Sequence, residues 1–230
     1  ILANKLALRL AEVRKNGCSI LKPDGKTQVT VEYENDKVVR VDTIVISTQH
    51  VEGVSKEELD TVLMDIVRDV VPSNLLIDTK YLFNPSGSFV VGGSFGDSGT
   101  TGRKIVCDTY GGMGRIGGGC LSSKDPTKVD RSGAYAARYI AKDIVSQQFA
   151  DRCEVQLAYA IGVEEPVSLY VECFGTNRIP VENIVAYIRS EYDLTPRGII
   201  NTLGLMDVDY NLVSAYGHFG KPELPWEVIQ

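Results

Sequence analysis

Apolar residues recur at helical spacing from the first positions of the chain: Leu2, Leu6, Ala7, Leu10 and Val13 share one face, and Asn16-Gly17 stops the run. Two strand-like stretches follow, residues 28–33 and 37–47, with Glu34-Asn35-Asp36 as the turn of a hairpin. Ser55 and Glu58 form a capping-box pattern ahead of Leu59, Val62, Leu63, Ile66 and Val70, a helix that Pro72 ends. The order helix, strand, strand, helix is partly repeated downstream. Residues 153–163 and 167–174 are strand-like, and Pro180 leads into Val181, Ile184, Val185 and Ile188 at helical spacing. Between these units lies a stretch, residues 84–129, that is dense in glycine and almost without aliphatic periodicity, and a helix over 130–147 with Ala134, Ala137, Ile140, Ala141 and Ile144 inward closes it. The pattern predicts an α+β protein of repeated β-β-α units, with mixed or antiparallel sheets covered on one face by helices. The expected divisions are a first unit over 1–90, a glycine-rich ligand-binding segment over 91–130 and a second unit over 131–230.

Composition narrows the function classes. With 43% hydrophobic and 23% charged residues among 230, the chain has the make-up of a globular protein. No stretch approaches 18 uninterrupted apolar residues, so no membrane partner is expected. A net charge of −6 and a pI near 5.1 argue against nucleic acid as a partner, because a phosphate backbone requires a basic face. Five cysteines without a CxxC pair suit neither a disulfide framework nor a zinc site; a cytoplasmic setting and mostly buried thiols are the expectation. The chain begins without Met inside a helical pattern, which reads as a fragment.

Phosphate chemistry in so acidic a chain must rest on local cations, and three constellations could supply it. Gly96-Asp97-Ser98-Gly99-Thr100-Thr101-Gly102-Arg103-Lys104 contains a GDSG core resembling the nucleophile loop of chymotrypsin-like proteases. A triad also needs a positioned His base, and the two histidines, His50 and His218, sit at a strand end and in a C-terminal loop. The more physical reading is a glycine loop that turns so as to aim Arg103 and Lys104 at one anion. Gly117-Gly118-Gly119-Cys120-Leu121-Ser122-Ser123-Lys124 continues to Lys128 and Asp130; glycine N–H groups and serine hydroxyls offer donors there, and the lysines offer charge. It departs from the Walker pattern because its lysine follows serine and precedes aspartate. Asp130 could cap the next helix, hold a divalent ion, or both. Lys22-Pro23-Asp24-Gly25-Lys26 reads on its own as a Pro-Asp-Gly turn. From the residues alone, the partner is a nucleotide or polyphosphate with magnesium.

The strings GGGCLSSKDPTKVDRSGAYAARYIAK, GDSGTTGRKIVCDTYGG, AEVRKNG and AYGHFGKPELPW resemble, in order, segments of the S-adenosylmethionine synthetases, over about residues 11–226. The resemblance implies a methionine adenosyltransferase. In that reaction the sulfur of L-methionine attacks C5′ of ATP, triphosphate is released and then cleaved, Mg2+ is required, and K+ activates. It places Asp24 and Lys26 at the nucleotide, against the turn reading, and sets Ser88 and Phe89 of the Asn-Pro-x-Gly-x-Phe motif beside the adenine. It puts Asp97 at methionine and nucleotide, and Arg103, Lys104 and Lys124 on the phosphates. Cys120 becomes a backbone contact to the nucleotide, Lys128 a methionine contact and Asp130 a magnesium ligand. Arg103, Lys104, Lys124 and Lys26 are the candidate catalytic cations. The resemblance also implies a dimer or tetramer of identical subunits.

Three departures qualify it. The His-Pro-Asp-Lys and Gly-Ala-Gly-Asp-Gln-Gly motifs, the mobile loop and the acidic potassium ligand of the family's N-terminal portion do not occur in these 230 residues. Ile116 stands where many members have His, and Leu121 where Phe is usual. The first predicts that the chain alone is inactive; the others predict modest repacking. A noncatalytic nucleotide- or polyphosphate-binding module, acting as a regulatory subunit, is the alternative.

Overall fold

The computed structural model describes residues 1–229, which fall into two compact units, one spanning Ile1–Thr100 and the other beginning at Thr101. In the first unit, α1 (Leu2–Lys15) is followed by β1 (Leu21–Glu34), β2 (Lys37–His50), α2 (Lys56–Val70), β3 (Lys80–Phe83) and the single turn α3 (Gly93–Gly96). Strands β1 and β2 form the expected antiparallel hairpin, and β3 adds to β2 in parallel, giving the order β1-β2-β3. The turn is tight because Asn35 and Asp36 both adopt left-handed conformations (φ 49° and 60°), the geometry that matches strand twist in a two-residue hairpin loop.

Strand β2 turns Val41, Ile44, Ile46 and Thr48 to one side; the alternation resets at Asp42, where the register slips against Thr30 and Val31. Leu6 and Leu10 of α1 and Leu59, Leu63, Ile66 and Val67 of α2 close over these residues as one core. The Ser55 hydroxyl caps α2 by accepting from the Glu58 N–H at 3.1 Å. Val62 and Val70, expected on the buried face, are only half-buried, and Val67 takes the inner position.

The Pro-Asp-Gly turn expected at residues 22–26 is not a turn. Pairing begins at Leu21 with His50 and resumes at Gly25 with Thr48, so β1 starts early and carries surplus residues in between. Proline is tolerated because β1 is the edge strand and needs no inward N–H at that position. Gly25 lies close to α1, where a Cβ would sit 2.8 Å from Leu10 Cδ2 and would need that side chain to shift.

The second unit contains the single turn α4 (Ile105–Asp108), α5 (Val129–Ser146), β4 (Glu154–Ala158), β5 (Ser168–Glu172), α6 (Val181–Glu191) and α7 (Pro196–Leu203). The antiparallel β4 and β5 are shorter than expected, because Gly162 (φ 85°) and a Val163 to Ala160 backbone bond turn the connection into a loop. Helix α7 was not anticipated; its Thr195 cap accepts from the Gly198 N–H at 3.0 Å and the left-handed Gly204 ends it, but eight residues are too few to show periodicity.

Helix α5 is buried on a face displaced from the expected one. Tyr135, Ala136, Ile140 and Ile144 are buried together with Arg131, Ser132 and Asp143, whereas Ala134, Ala137 and Ala141 are half-buried. The polar members are inside because each has partners. Asp143 accepts from the Tyr187 and Tyr192 hydroxyls at 2.9 and 2.6 Å. Glu227, from the C-terminal segment, takes Arg138 at 2.9 and 3.0 Å and the Gly220 N–H at 2.7 Å, with Lys142 beside them. Burial raises the Glu227 carboxyl, but bonds from Arg138, Gly220 and Lys142 outweigh that and hold it below the usual carboxylate range. Expected thiol burial is corrected: Cys173 alone among the five is fully buried, Cys107 is exposed, and all five are free. No helix among the described residues is long and apolar enough to cross a membrane.

Leu63→Ala should lower the stability of the first unit by about 2–5 kcal/mol, by leaving a cavity between α2 and the sheet. Ser55→Ala, which removes one cap, should cost about 1 kcal/mol. Urea unfolding of both variants checks the ranking; equal losses would contradict it.

Candidate functional site

In the first unit the loop after β3 is tied to the end of β2 by side chains that imitate strand pairing. Asn84, buried and left-handed (φ 40°), accepts from the Thr48 N–H at 2.8 Å and donates to the Thr48 carbonyl at 2.9 Å. His50 then receives the loop: its N–H donates to the Phe89 carbonyl at 2.9 Å, and the Phe89 N–H donates to its Nε2 at 3.0 Å. Because Nε2 accepts, the His50 proton resides on Nδ1, which donates to the Val51 carbonyl at 2.8 Å. Asp24 meets this loop from β1, accepting from the Gly93 N–H at 2.9 Å. Gly92 must be glycine, since a Cβ there would lie 2.6 Å from the Phe89 ring and 3.0 Å from Asp24 Oδ2. Phe89 and Asp24 are therefore brought together around Gly92. Ser88, Asp97 and Lys26 are exposed, and no side-chain bond draws them to that pair among the described residues.

In the second unit, the Lys124 N–H bonds to the Leu121 carbonyl at 3.1 Å, which makes residues 121–124 a turn. Leu121 points into the core, with 2% exposure. Gly102 (φ 76°) packs on the turn so closely that a Cβ would lie 2.8 Å from Ser123 Oγ and 2.9 Å from Cys120 Cβ. Arg103 and Lys104 follow Gly102 directly; both are exposed and have no side-chain partner among the described residues. Lys124 donates to Asp130 Oδ2 at 2.5 Å, and the backbone of Gly119 lies directly against the same carboxylate, where any Cβ would collide. The lysine is held above its ordinary range by that bond to Asp130. Cys120 shares a 2.8 Å contact with Ser123, which lowers the thiol below its ordinary range. Lys128 lies apart, exposed, 3.5 Å from Asp125.

Helix capping by Asp130 is not observed. Helix α5 starts at Val129 with Lys128 as a cap residue whose side chain makes no capping bond, and Asp130 lies in the first turn, where its charge complements the helix dipole. A cavity of about 640 Å³ opens beside this carboxylate, walled by Gly117, Gly118 and Gly119, by Ala134 and Ala137 of α5, and by Tyr110. Burial pushes the Tyr110 hydroxyl up to about 12.

Residues 91–228 match the profile of the S-adenosylmethionine synthetase C-terminal domain, and residues 1–89 match that of the S-adenosylmethionine synthetase central domain. The chain belongs to the S-adenosylmethionine synthetase family. Its fold, mixed α and β with small sheets and helices, agrees with that membership.

Members of this family depend on a divalent metal and on K+. Among the described residues no cluster of three or more His, Cys, Asp or Glu side chains could cage an ion. Magnesium typically takes only one or two carboxylates and completes its shell with water and substrate phosphates. The donor set here, one exposed Asp130 carboxylate paired with the Lys124 ammonium, fits an ion that takes few protein ligands and completes its shell with water and phosphate oxygens.

Beneath the turn lies a set of side chains that local pattern did not single out. Arg131, 4% exposed, donates from its Nη1 to the Lys124 carbonyl at 2.6 Å and from Nε to the Tyr135 hydroxyl at 3.0 Å, and stacks over the Tyr210 ring at 3.9 Å. The Tyr135 hydroxyl also meets His218 Nδ1 at 2.7 Å, and His218 Nε2 meets the Ser122 hydroxyl at 2.8 Å. His218 lies 83 residues from Tyr135 and 96 from Ser122, so no spacing rule could have found it.

His218 is wholly buried, and burial, then the charges of Arg131 and Lys221, lower it from 6.5 to about 4. Below pH 6.5 the unfolded chain gains a proton that the folded chain refuses, so stability falls as pH drops toward 4 and is fully present above 6.5. Relative to His218→Gln, the protein should lose about 1.4 kcal/mol per pH unit across that window. Urea titrations at several pH values measure the slope; parallel curves for the two proteins would contradict a buried neutral His218.

Proposed function

We propose that this chain is part of a methionine adenosyltransferase subunit that joins ATP and L-methionine and releases the triphosphate for cleavage. The observation that carries the reading is the Lys124–Asp130 pair, seated against Gly119 in a chain matched by two domains of that family. A triphosphate with its metal satisfies both members of the pair at once: the ammonium turns to phosphate oxygens and the carboxylate to the cation. Bound magnesium would spread the charge of the phosphate oxygens.

Displacement at C5′ moves charge onto the leaving oxygens. Preplaced cations stabilise that charge more in the transition state than in the ground state, each by about 3 kcal/mol. Arg103, Lys104 and Lys124 take this role, with Lys26 as a fourth cation from β1. The half-buried Phe89 ring supplies a stacking face for adenine, next to Ser88, with Asp24 on the nucleotide, Asp97 between nucleotide and methionine, and Lys128 on the methionine side. Cys120 contributes through its backbone. The subunit works as a dimer or tetramer of identical chains, and K+ activates it.

Lys124→Ala, in a subunit that also carries the family's N-terminal motifs, should reduce turnover about 100-fold or more while leaving folded yield within two-fold. Equal losses in a combined activity and thermal-melt assay would make Lys124 a structural residue and sink this reading. The 230-residue chain by itself should form no S-adenosylmethionine from ATP, methionine, Mg2+ and K+, because the His-Pro-Asp-Lys and Gly-Ala-Gly-Asp-Gln-Gly motifs are not in it. Chromatographic detection of product with material of verified mass would overturn that.

A further inference from the structure

We infer that Ser122 is an anion-binding donor, and that Arg131, Tyr135 and His218 are positioning residues that turn its hydroxyl hydrogen outward. The inference rests on the phosphate-binding reading of the 102–130 segment and settles, for one of its serines, which way the hydroxyl hydrogen points. Its basis is the direction of a hydrogen-bond chain.

Arginine has donors and no acceptor, so Arg131 Nε must donate to the Tyr135 oxygen at 3.0 Å. The Tyr135 hydrogen then has one acceptor within reach, His218 Nδ1 at 2.7 Å. A buried hydroxyl hydrogen without an acceptor is costly, and His218 Nδ1 is the acceptor this one meets, so the hydrogen is used there. Nδ1 therefore accepts, and the single proton of the neutral imidazole sits on Nε2, where it donates to Ser122 Oγ at 2.8 Å. A hydroxyl that accepts from an N–H cannot aim its own hydrogen at it. Ser122 is half-exposed and has no other side-chain partner among the described residues, so its hydrogen is left free on the turn that carries Lys124.

Both ends of the chain meet the same turn. Arg131 holds the Lys124 carbonyl at 2.6 Å while His218 holds the Ser122 side chain, so one buried cation sets both the position of the turn and the polarity of its hydroxyl. The ligand implied is an oxyanion accepting from Ser122 beside the Lys124 ammonium, a polyphosphate oxygen in the present reading. Tyr135 keeps its place by ring stacking on Trp226 (centroids 3.6 Å apart), whose Nε1 donates to the His218 carbonyl at 2.8 Å. A phenylalanine at 135 can therefore keep the stack while breaking the chain.

The test is calorimetric titration of the chain with magnesium tripolyphosphate, using wild type, Ser122→Ala, Tyr135→Phe, the double variant and Lys124→Ala. Ser122→Ala should weaken binding by about ten-fold or more, as loss of a bond to a charged acceptor does. Tyr135→Phe frees His218 to take the other tautomer, so it should weaken binding by a similar factor, and the double variant should be no weaker than Ser122→Ala alone. Two-bond 1H–15N spectra supply a readout that a merely structural role would not move: His218 should carry its proton on Nε2 and His50 on Nδ1. Wild-type binding that Lys124→Ala weakens but Ser122→Ala leaves unchanged overturns the inference and spares the phosphate reading. A proton on His218 Nδ1, or a Tyr135→Phe variant that melts lower yet binds as wild type, overturns it too. Failure of the wild type to bind, or binding indifferent to Lys124→Ala, overturns both.

Discussion

The second unit is organised around one buried cation. Arg131 sits inside helix α5 with 4% exposure, and its charge is met by a carbonyl, a hydroxyl and an aromatic face rather than by a carboxylate bond. Each of these partners belongs to a different part of the unit: Lys124 to the glycine-rich turn, Tyr135 to the next turn of α5, Tyr210 to the segment after α7. A buried arginine is costly unless satisfied, so the arrangement holds only when all three are in place. That requirement locks the turn to the helix. The C-terminal segment completes the lock by laying Trp226 on Tyr135 and sending Glu227 to Arg138 and Lys142.

On this support the exposed chemistry is simple. The protein is acidic overall, so the anion site proposed above must rest on local geometry. Glycine at 102 and 119 lets backbone touch the Cys120–Ser123 turn and the Asp130 carboxylate, where any side chain would collide. Lys124 and Asp130 neutralise each other across 2.5 Å, which keeps an ammonium and a carboxylate ready without leaving either charge alone. In the first unit the same economy appears at Gly92, where Phe89 and Asp24 close on a residue without a side chain.

Much of this was legible in the chain itself. Helices α1, α2, α5 and α6 and the long hairpin follow from periodicity, capping and turn residues, because those signals are local. The candidate cations stood out because lysines and glycines cluster in a segment with no aliphatic period. What escaped depended on distant partners. Proline at 23 reads as a turn until β1 proves to be an edge strand. Arg131 and Asp143 read as surface until their tyrosines arrive from other elements, so α5 was rotated in the expectation. His218 does lie in the expected C-terminal loop, but its burial escaped because its two side-chain partners are 83 and 96 positions away. The long motifs that resemble the S-adenosylmethionine synthetases pointed to the family that the domain matches show, which neither composition nor spacing could express.

The central claim is that the Lys124–Asp130 pair is a ligand-exchange site. A crystal structure of the protein with magnesium and a non-hydrolysable triphosphate tests it most directly. The account predicts that the Lys124 ammonium leaves Asp130 for phosphate oxygens and that the Asp130 carboxylate turns to the metal. An anion bound elsewhere with the Lys124–Asp130 bond intact would contradict it.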